Sequence, residues 1–314
     1  LRNILLLETI ANEAHQLLLD AEDVVIHQGF EKFPAAEVLT TIDAVITRGL
    51  GQVNFELLEA CPRLKVAARC GVGLDNVDVS EASKRKIKVV NAPGSNASTV
   101  AEHTVALMLM LQRNLFQALN DVKSGNWAAR SAFKSDEVNE KTMGILGLGN
   151  IGLKVAKIAE ALGMRVIYWS KTPKDVPYQA VSKSELLAMS DIISIHLPLN
   201  AETENLINAA ALSIVKPSCI LINTARGQIV HRAALLNALN EGRLAGYGAD
   251  VPTAPAPAAD DPLIAHPKVL ITAHVSSLTV TTYKNMCLTT VRNVLAILRE
   301  QAPQPGCIFN WQSL

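Results

Sequence analysis

Gly147, Gly149 and Gly152 fall at G-x-G-x-x-G spacing in the stretch GILGLGNIG, near the middle of a 314-residue chain. Met143–Gly147 reads as a short buried strand. From Ile151 to Leu162 apolar residues recur at helical intervals (Ile151, Val155, Ile158, Ala159, Leu162), and Gly163 is placed to end that helix. Glycines where a strand hands over to a helix have a specific use. The first permits a tight turn, the second lets the backbone approach a pyrophosphate, and the third lets helix and strand pack closely. The helix N-terminus adds N–H donors and positive dipole for the anion. The chemistry predicted is therefore dinucleotide binding. Arg226 and His274 each stand just past the end of a candidate strand, where ligands of parallel sheets bind. His15, His27, His103, His196, His231 and His266 have no such placement and read as structural or solvated.

Alternating strands and helices must position these residues. Before the glycine turn, Asn3–Glu8, Asp23–Gln28, Ala44–Thr47, Leu64–Arg69 and Lys88–Asn91 read as buried strands. Helical patterns such as Ala11–Leu19 and Asn54–Ala60 lie between them, which predicts a parallel α/β unit. A long apolar helix is predicted over Val100–Leu119, opened by a Thr99/Glu102 capping box. After the turn, Arg165–Trp169, Asp191–Leu197, Cys219–Thr224, Gly246–Val251 and Lys268–Thr272 read as strands of a doubly wound sheet. The final helix, Val280–Glu300, has no place in that sheet's order and is expected to return to the first domain. Hence a substrate domain of residues 1–96 and 277–314 is predicted, with a dinucleotide domain of residues 97–276 inserted in it. Pro252–Ala259 reads as a loop.

Composition narrows the partners. Lys+Arg and Asp+Glu balance at 29 each, so no electrostatic case exists for nucleic acid or an anionic membrane. No apolar run approaches bilayer length, and no leader pattern opens the sequence. The 5 cysteines are scattered without a C-x-x-C, which reads as reduced thiols in a cytoplasmic protein and not as a zinc site or other metal centre.

Six stretches in order carry a resemblance: GVGLDNVD (Gly71–Asp78), NAPGSNASTVAEHTVALML (Asn91–Leu109), GILGLGNIG, NTARGQIV (Asn223–Val230), GADV (Gly248–Val251) and HPKVLITAHV (His266–Val275). Over nearly the whole chain the sequence resembles the D-isomer-specific 2-hydroxyacid dehydrogenases, which include phosphoglycerate dehydrogenase and glyoxylate/hydroxypyruvate reductases. The resemblance implies two α/β domains with doubly wound, parallel (Rossmann-like) sheets, the dinucleotide domain inserted in a flavodoxin-like substrate domain. It also implies hydride transfer between a nicotinamide cofactor and a 2-keto acid. Arg226 matches the arginine whose fork holds the substrate carboxylate and polarises the carbonyl. His274 matches the acid/base that exchanges the hydroxyl proton. Backbone N–H groups of Val72 and Gly73 would cradle the carboxylate, and Asn96 aligns with the hinge. For the cofactor, Asn150 and Ile151 follow the glycines over the pyrophosphate. Thr224 and Ala225 flank the nicotinamide beside Arg226 and His274, and Asp250 would bond its carboxamide. A homodimer through the dinucleotide domain is implied as well.

Two positions depart from the family pattern. Its second dinucleotide strand ends in an acid that takes the adenosine ribose, whereas Ser170 stands here, followed by Lys171 and Thr172. Loss of a carboxylate and gain of a cation predict NADP(H) over NAD(H). Five residues after Asp250, where the family has a glutamate that orients the histidine, this chain has Pro255. Keto-acid reduction is then expected to fade above neutrality, unless Asp260 or Asp261 folds back as a substitute. The weakened trio keeps open a dinucleotide-sensing binding protein like the C-terminal binding protein corepressors. Retention of Arg226 and His274 favours an enzyme. A 3-phosphoglycerate substrate would want several cations; Arg48 is one, but no cluster is evident, and no full regulatory domain is expected. A small unphosphorylated 2-keto acid of the glyoxylate/hydroxypyruvate kind is therefore preferred.

Overall fold

The computed structural model describes residues 1–252, 258 and 260–314, so the expectation attached to Pro255 lies outside the described residues. The chain divides into two compact units, Leu1–Asn96 with Leu278–Leu314, and Ala97–Ser277.

The first unit alternates β1 (Arg2–Leu6), α1 (Asn12–Leu19), β2 (Val24–Gln28), α2 (Ala36–Leu39), β3 (Ile42–Thr47), α3 (Phe55–Ala60), β4 (Val66–Arg69), α4 (Val79–Lys84) and β5 (Lys88–Val90). Its sheet is parallel in the order β2-β1-β3-β4-β5, the flavodoxin-like arrangement. The strands are short and apolar because both faces are covered. Ile4, Leu6, Ala44, Ile46, Val66 and Ala68 face one core, and Leu5, Val45, Ala67 and Val89 face the other. Asn54 and Asp78 cap α3 and α4 by accepting from Leu57 N and Glu81 N.

The second unit opens with α5 (Ala97–Gln112) and α6 (Leu115–Lys123). It continues through β6 (Thr142–Leu146), α7 (Asn150–Ala161), β7 (Arg165–Trp169), β8 (Gln179–Ala180), α8 (Lys183–Met189), β9 (Ile192–Ile195), α9 (Ala209–Ile214), β10 (Ile220–Asn223), α10 (Arg232–Asn240), β11 (Gly246–Ala249) and β12 (Val269–Ile271). All strands are parallel, in the order β12-β11-β10-β9-β6-β7-β8. The order reverses between β6 and β9, and that crevice is where an open parallel sheet takes its ligand. The short edge strand β8 had no sequence signal. The last helix, α11 (Val280–Leu298), packs in the first unit against α1 and β4 and buries Cys287, Val291, Val294 and Leu298 in its core.

The single helix predicted over Val100–Leu119 is two. α5 starts earlier, at Ala97, so Thr99 is not its cap; Ala97, Thr99, Val100 and Ala101 are all buried in the first turns, and packing sets the start. α5 ends at Gln112 because Asn114 takes a left-handed conformation (φ 47°), which asparagine tolerates better than most residues. The break matters for exposure. α5 buries eight residues within its own unit, whereas α6 buries none.

Candidate active site

The three glycines of the fingerprint meet three different constraints. Gly147 has φ +97°, and a Cβ there would stand 2.6 Å from the His196 carbonyl oxygen. At Gly152 a Cβ would stand 2.2 Å from the Gly147 carbonyl, so this glycine lets α7 sit directly on the turn. A Cβ on Gly149 would meet nothing within 4 Å; it would project into open space at the start of α7, which begins without a side-chain cap. An open cradle before uncapped first-turn N–H groups fits a dinucleotide pyrophosphate. Asn150 and Ile151 form the first turn of that helix. Ser170, half-buried, and the exposed Lys171 and Thr172 follow β7.

Arg226 follows β10, in a turn that Asn223 builds locally. The Asn223 Oδ1 accepts from Ala225 N at 3.0 Å, and its Nδ2 donates to the Arg226 carbonyl at 2.9 Å. This side chain takes over hydrogen bonds that a continued strand would have made, and it fixes the backbone under Ala225 and Arg226. Arg226 is half-buried and extended, with Nη1 donating to the Ala225 carbonyl at 2.7 Å. Thr224 is buried and shares a 2.9 Å hydroxyl–hydroxyl bond with Thr104 of α5.

His274 lies past β12 with φ +56°, a conformation that a non-glycine residue adopts only when its surroundings enforce it. Asp250, fully buried at the end of β11, supplies the constraint. Its Oδ1 accepts from Thr272 Oγ1 at 2.5 Å and from Val275 N at 2.9 Å, and its Oδ2 accepts from Ser276 N at 2.8 Å. Burial would raise the Asp250 pKa, but hydrogen bonds from the Ser276 and Thr272 hydroxyls and the Ser276 and Val275 N–H groups outweigh it and hold the carboxyl below its ordinary value. Hydrogen bonds to a charged group contribute about 1.5–3 kcal/mol each. A strained backbone residue costs about 1–3 kcal/mol. Such bonds around one left-handed residue are together sufficient to hold it. Beyond the carboxamide contact implied by resemblance, Asp250 clamps the turn that carries His274.

In the first unit, the loop after β4 has its carbonyls turned to protein donors. Gly71 O accepts from Ala92 N at 2.9 Å, Val72 O accepts from Asn91 Nδ2 at 2.7 Å, and Gly73 O accepts from Arg69 Nη1. Val72 and Gly73 are half-buried, as is Asn96, the last residue before α5. Nearby, a single oxygen of Glu8 organises the loop after β3. Its Oε2 accepts from Thr47 Oγ1 and from the N–H groups of Arg48, Gly49, Leu50 and Gly51 at 2.7–3.0 Å. The Glu8 carboxyl is desolvated, yet these donors, led by Gly49, Gly51 and Arg48, pull its pKa down to about 2. Arg48 stacks over the Tyr283 ring at 5.4 Å, and its carbonyl accepts from Arg69 Nε at 2.7 Å.

Three features escaped the sequence. Lys171 is paired with Glu202, from the loop after β9. His103 of α5 bonds Thr272 in the His274 turn. Asp261, a candidate substitute for the missing glutamate, is committed elsewhere, pairing with Arg232 at 2.6 Å and accepting from Leu263 N at 2.8 Å. Each depends on a partner remote in sequence, which spacing does not reveal. Two other histidines are structural. His196 bonds Ser194 at 2.8 Å and burial drives its pKa down to about 3; His231 caps α10 by accepting from Ala234 N.

Comparison with known proteins gives a consistent result. The family model for the D-isomer-specific 2-hydroxyacid dehydrogenase NAD-binding domain matches residues 105–276. The chain is 37% identical over 247 residues to a hydroxypyruvate reductase of Thermotoga maritima, covering 78% of this chain and 80% of that one. It is 35% identical to a D-3-phosphoglycerate dehydrogenase of Archaeoglobus fulgidus over 88% of this chain, but spans only 53% of that relative's length. Among solved structures it resembles an NADPH-dependent glyoxylate/hydroxypyruvate reductase from Sinorhizobium meliloti, with TM-score 0.86 and 30% identity over 95% of each chain.

Proposed function

The chain belongs to the D-isomer-specific 2-hydroxyacid dehydrogenases, a family of nicotinamide-dependent oxidoreductases, and within it we propose a reductase of small unphosphorylated 2-keto acids of the glyoxylate and hydroxypyruvate kind. The observation that carries this reading is the placement of Arg226 and His274 at the carboxyl edge of one sheet, past β10 and β12, the same edge at which β6 ends in the glycine turn. Similarity to the Thermotoga hydroxypyruvate reductase over most of both chains supports the substrate class.

A nicotinamide dinucleotide, when bound, would supply the hydride that reduces the keto acid. The guanidinium of Arg226 binds the substrate carboxylate and draws electron density toward the keto oxygen. Protonated His274 gives its proton to that oxygen as the alkoxide forms, and takes it back in the oxidative direction. Val72 and Gly73 direct N–H groups at the carboxylate, and Asn96 is the hinge residue before α5. Gly147, Gly149, Asn150, Ile151 and Gly152 hold the pyrophosphate, with Thr224, Ala225 and Asp250 at the nicotinamide. Ser170, Lys171 and Thr172 favour NADPH, because two hydroxyls and a cation suit a 2′-phosphate. The active species is a homodimer formed through the second unit.

Oxidation of NADPH on addition of glyoxylate, hydroxypyruvate, pyruvate or phenylpyruvate tests the reading. His274→Gln should lower kcat by about 10²–10⁴-fold, the usual contribution of a general acid. Tight NADPH binding with no turnover of any of the four acids would overturn the enzyme reading in favour of a dinucleotide sensor.

A further inference from the structure

We propose that His103 is a positioning residue for His274, acting through Thr272 and Asp250. The inference rests on the reading of His274 as the acid/base. His103 Nε2 lies 2.9 Å from Thr272 Oγ1. The hydroxyl has one proton, and it goes to Asp250 Oδ1 at 2.5 Å, an ionised carboxylate that cannot donate in return. Toward His103 the hydroxyl is therefore an acceptor, so Nε2 carries hydrogen. This fixes the direction of the chain: His103 N–H to Thr272 O–H to Asp250 carboxylate. Nε2 also lies 3.7 Å from Asp250 Oδ1.

The carboxylate is where the chain exerts its effect. Asp250 accepts from Val275 N and Ser276 N, the two N–H groups after His274, and from Thr272, two residues before it. These bonds bracket a residue with φ +56°. Without the His103 donor, the Thr272 hydroxyl is free to turn to its other acceptor, the Ala249 carbonyl at 3.4 Å. Asp250 Oδ1 then loses its shortest bond, and the turn loses one of its restraints against the strain at His274. The adjacent Thr104 bonds Thr224 at 2.9 Å, so one turn of α5 touches both strand ends that carry the proposed chemistry. A misplacement of about 1 Å at a reacting group can lower a rate by about 10²-fold. Small shifts of the His274 turn are thus expected in kcat and not in binding.

The test compares His103→Leu, His103→Gln and Thr272→Val with the wild type, measuring kcat, KM for the keto acid, NADPH dissociation constant by fluorescence titration, and melting temperature. His103→Leu and Thr272→Val should each lower kcat about tenfold or more, with KM and the NADPH constant within about twofold. His103→Gln, whose Nε2 can donate from nearly the same place, should recover most of the rate. Wild-type kcat in His103→Leu would overturn the proposal. So would NADPH affinity falling as far as kcat, or His103→Gln performing no better than His103→Leu. Should His103→Leu not fold, Thr272→Val decides, since it removes the hydroxyl with little change in volume. His274→Gln runs in parallel: a wild-type rate there would remove the acid/base reading itself, whereas a dead His274→Gln beside an unaffected His103→Leu would sink only the positioning role.

Discussion

Lys171 Nζ lies 3.1 Å from Glu202 Oε2, joining the loop after β7 to the loop after β9. Both side chains are well exposed, at 79% and 72%. An exposed pair of this kind contributes only about 0–1 kcal/mol. A 2′-phosphate can therefore recruit Lys171 at little cost, while Glu202 remains nearby as an opposing charge. NADPH is expected to exceed NADH in kcat/KM, and Glu202→Gln to tighten NADPH binding a further two- to fivefold or so, the range such a pair allows. Ser170→Asp should move preference toward NADH. Steady-state kinetics with both reduced cofactors check the preferences and titration of apo protein checks the change in binding, and an NADH preference in the wild type would refute the strand-end reading.

Glu8 makes the stability of the first unit sensitive to acid. Its folded-state pKa is lowered from 4.5 to about 2. Stability from a depressed carboxyl is fully present above the unfolded value and is lost as pH falls through the folded one. The contribution, on the order of 3 kcal/mol at neutral pH, should disappear between about pH 4.5 and 2. Glu8→Gln should melt several degrees lower at pH 7, with the gap to wild type closing across that window. A gap that persists unchanged at pH 2.5 would mean that the loop, and not the ionised carboxylate, is responsible.

The apolar stretch expected as one helix over Val100–Leu119 divides in its exposure at Asn114. α5 is buried within its own unit, and the exposed apolar side chains lie beyond the Asn114 break: Leu115, Phe116, Leu119, Val122, Trp127 and Phe133. All six fall within residues 115–133, and exposed apolar side chains gathered on a surface mark interaction sites. Sedimentation at micromolar concentration should show a dimer, and Phe116→Glu combined with Trp127→Glu should give monomers. A monomeric wild type would remove the proposal.

Pro255 stands where the family resemblance expects a carboxylate. An anion beside an imidazole favours its charged form, the form that keto-acid reduction consumes. Pro255→Glu is therefore expected to raise the reduction rate above pH 7 relative to the wild type, with little change below pH 6. Rates measured across pH 5.5–9 would show this as a shift of the alkaline limb; superimposable profiles would exclude it.

Much of this molecule is legible from short-range pattern alone. Parallel strands buried on both faces are continuous apolar runs, so β3, β7 and β10 are visible as strands without knowledge of their neighbours. The glycine turn is equally local, because strand, tight turn and helix start lie within a dozen consecutive residues. Strand ends also nominate Arg226 and His274 as candidates, and Asp250 enters through the family resemblance. The tertiary structure decided what holds them. Thr272 bonds Asp250 across 22 residues, Lys171 reaches Glu202 across 31, and His103 meets Thr272 across 169. Hydrophobic periodicity encodes which face of an element is buried, but a hydrogen-bond partner is set by sheet order and by which loop ends converge. The same limit explains α5. Its sequence continues apolar past Gln112, and only the packing of its first four turns, with Asn114 free to turn left-handed, shows where burial stops.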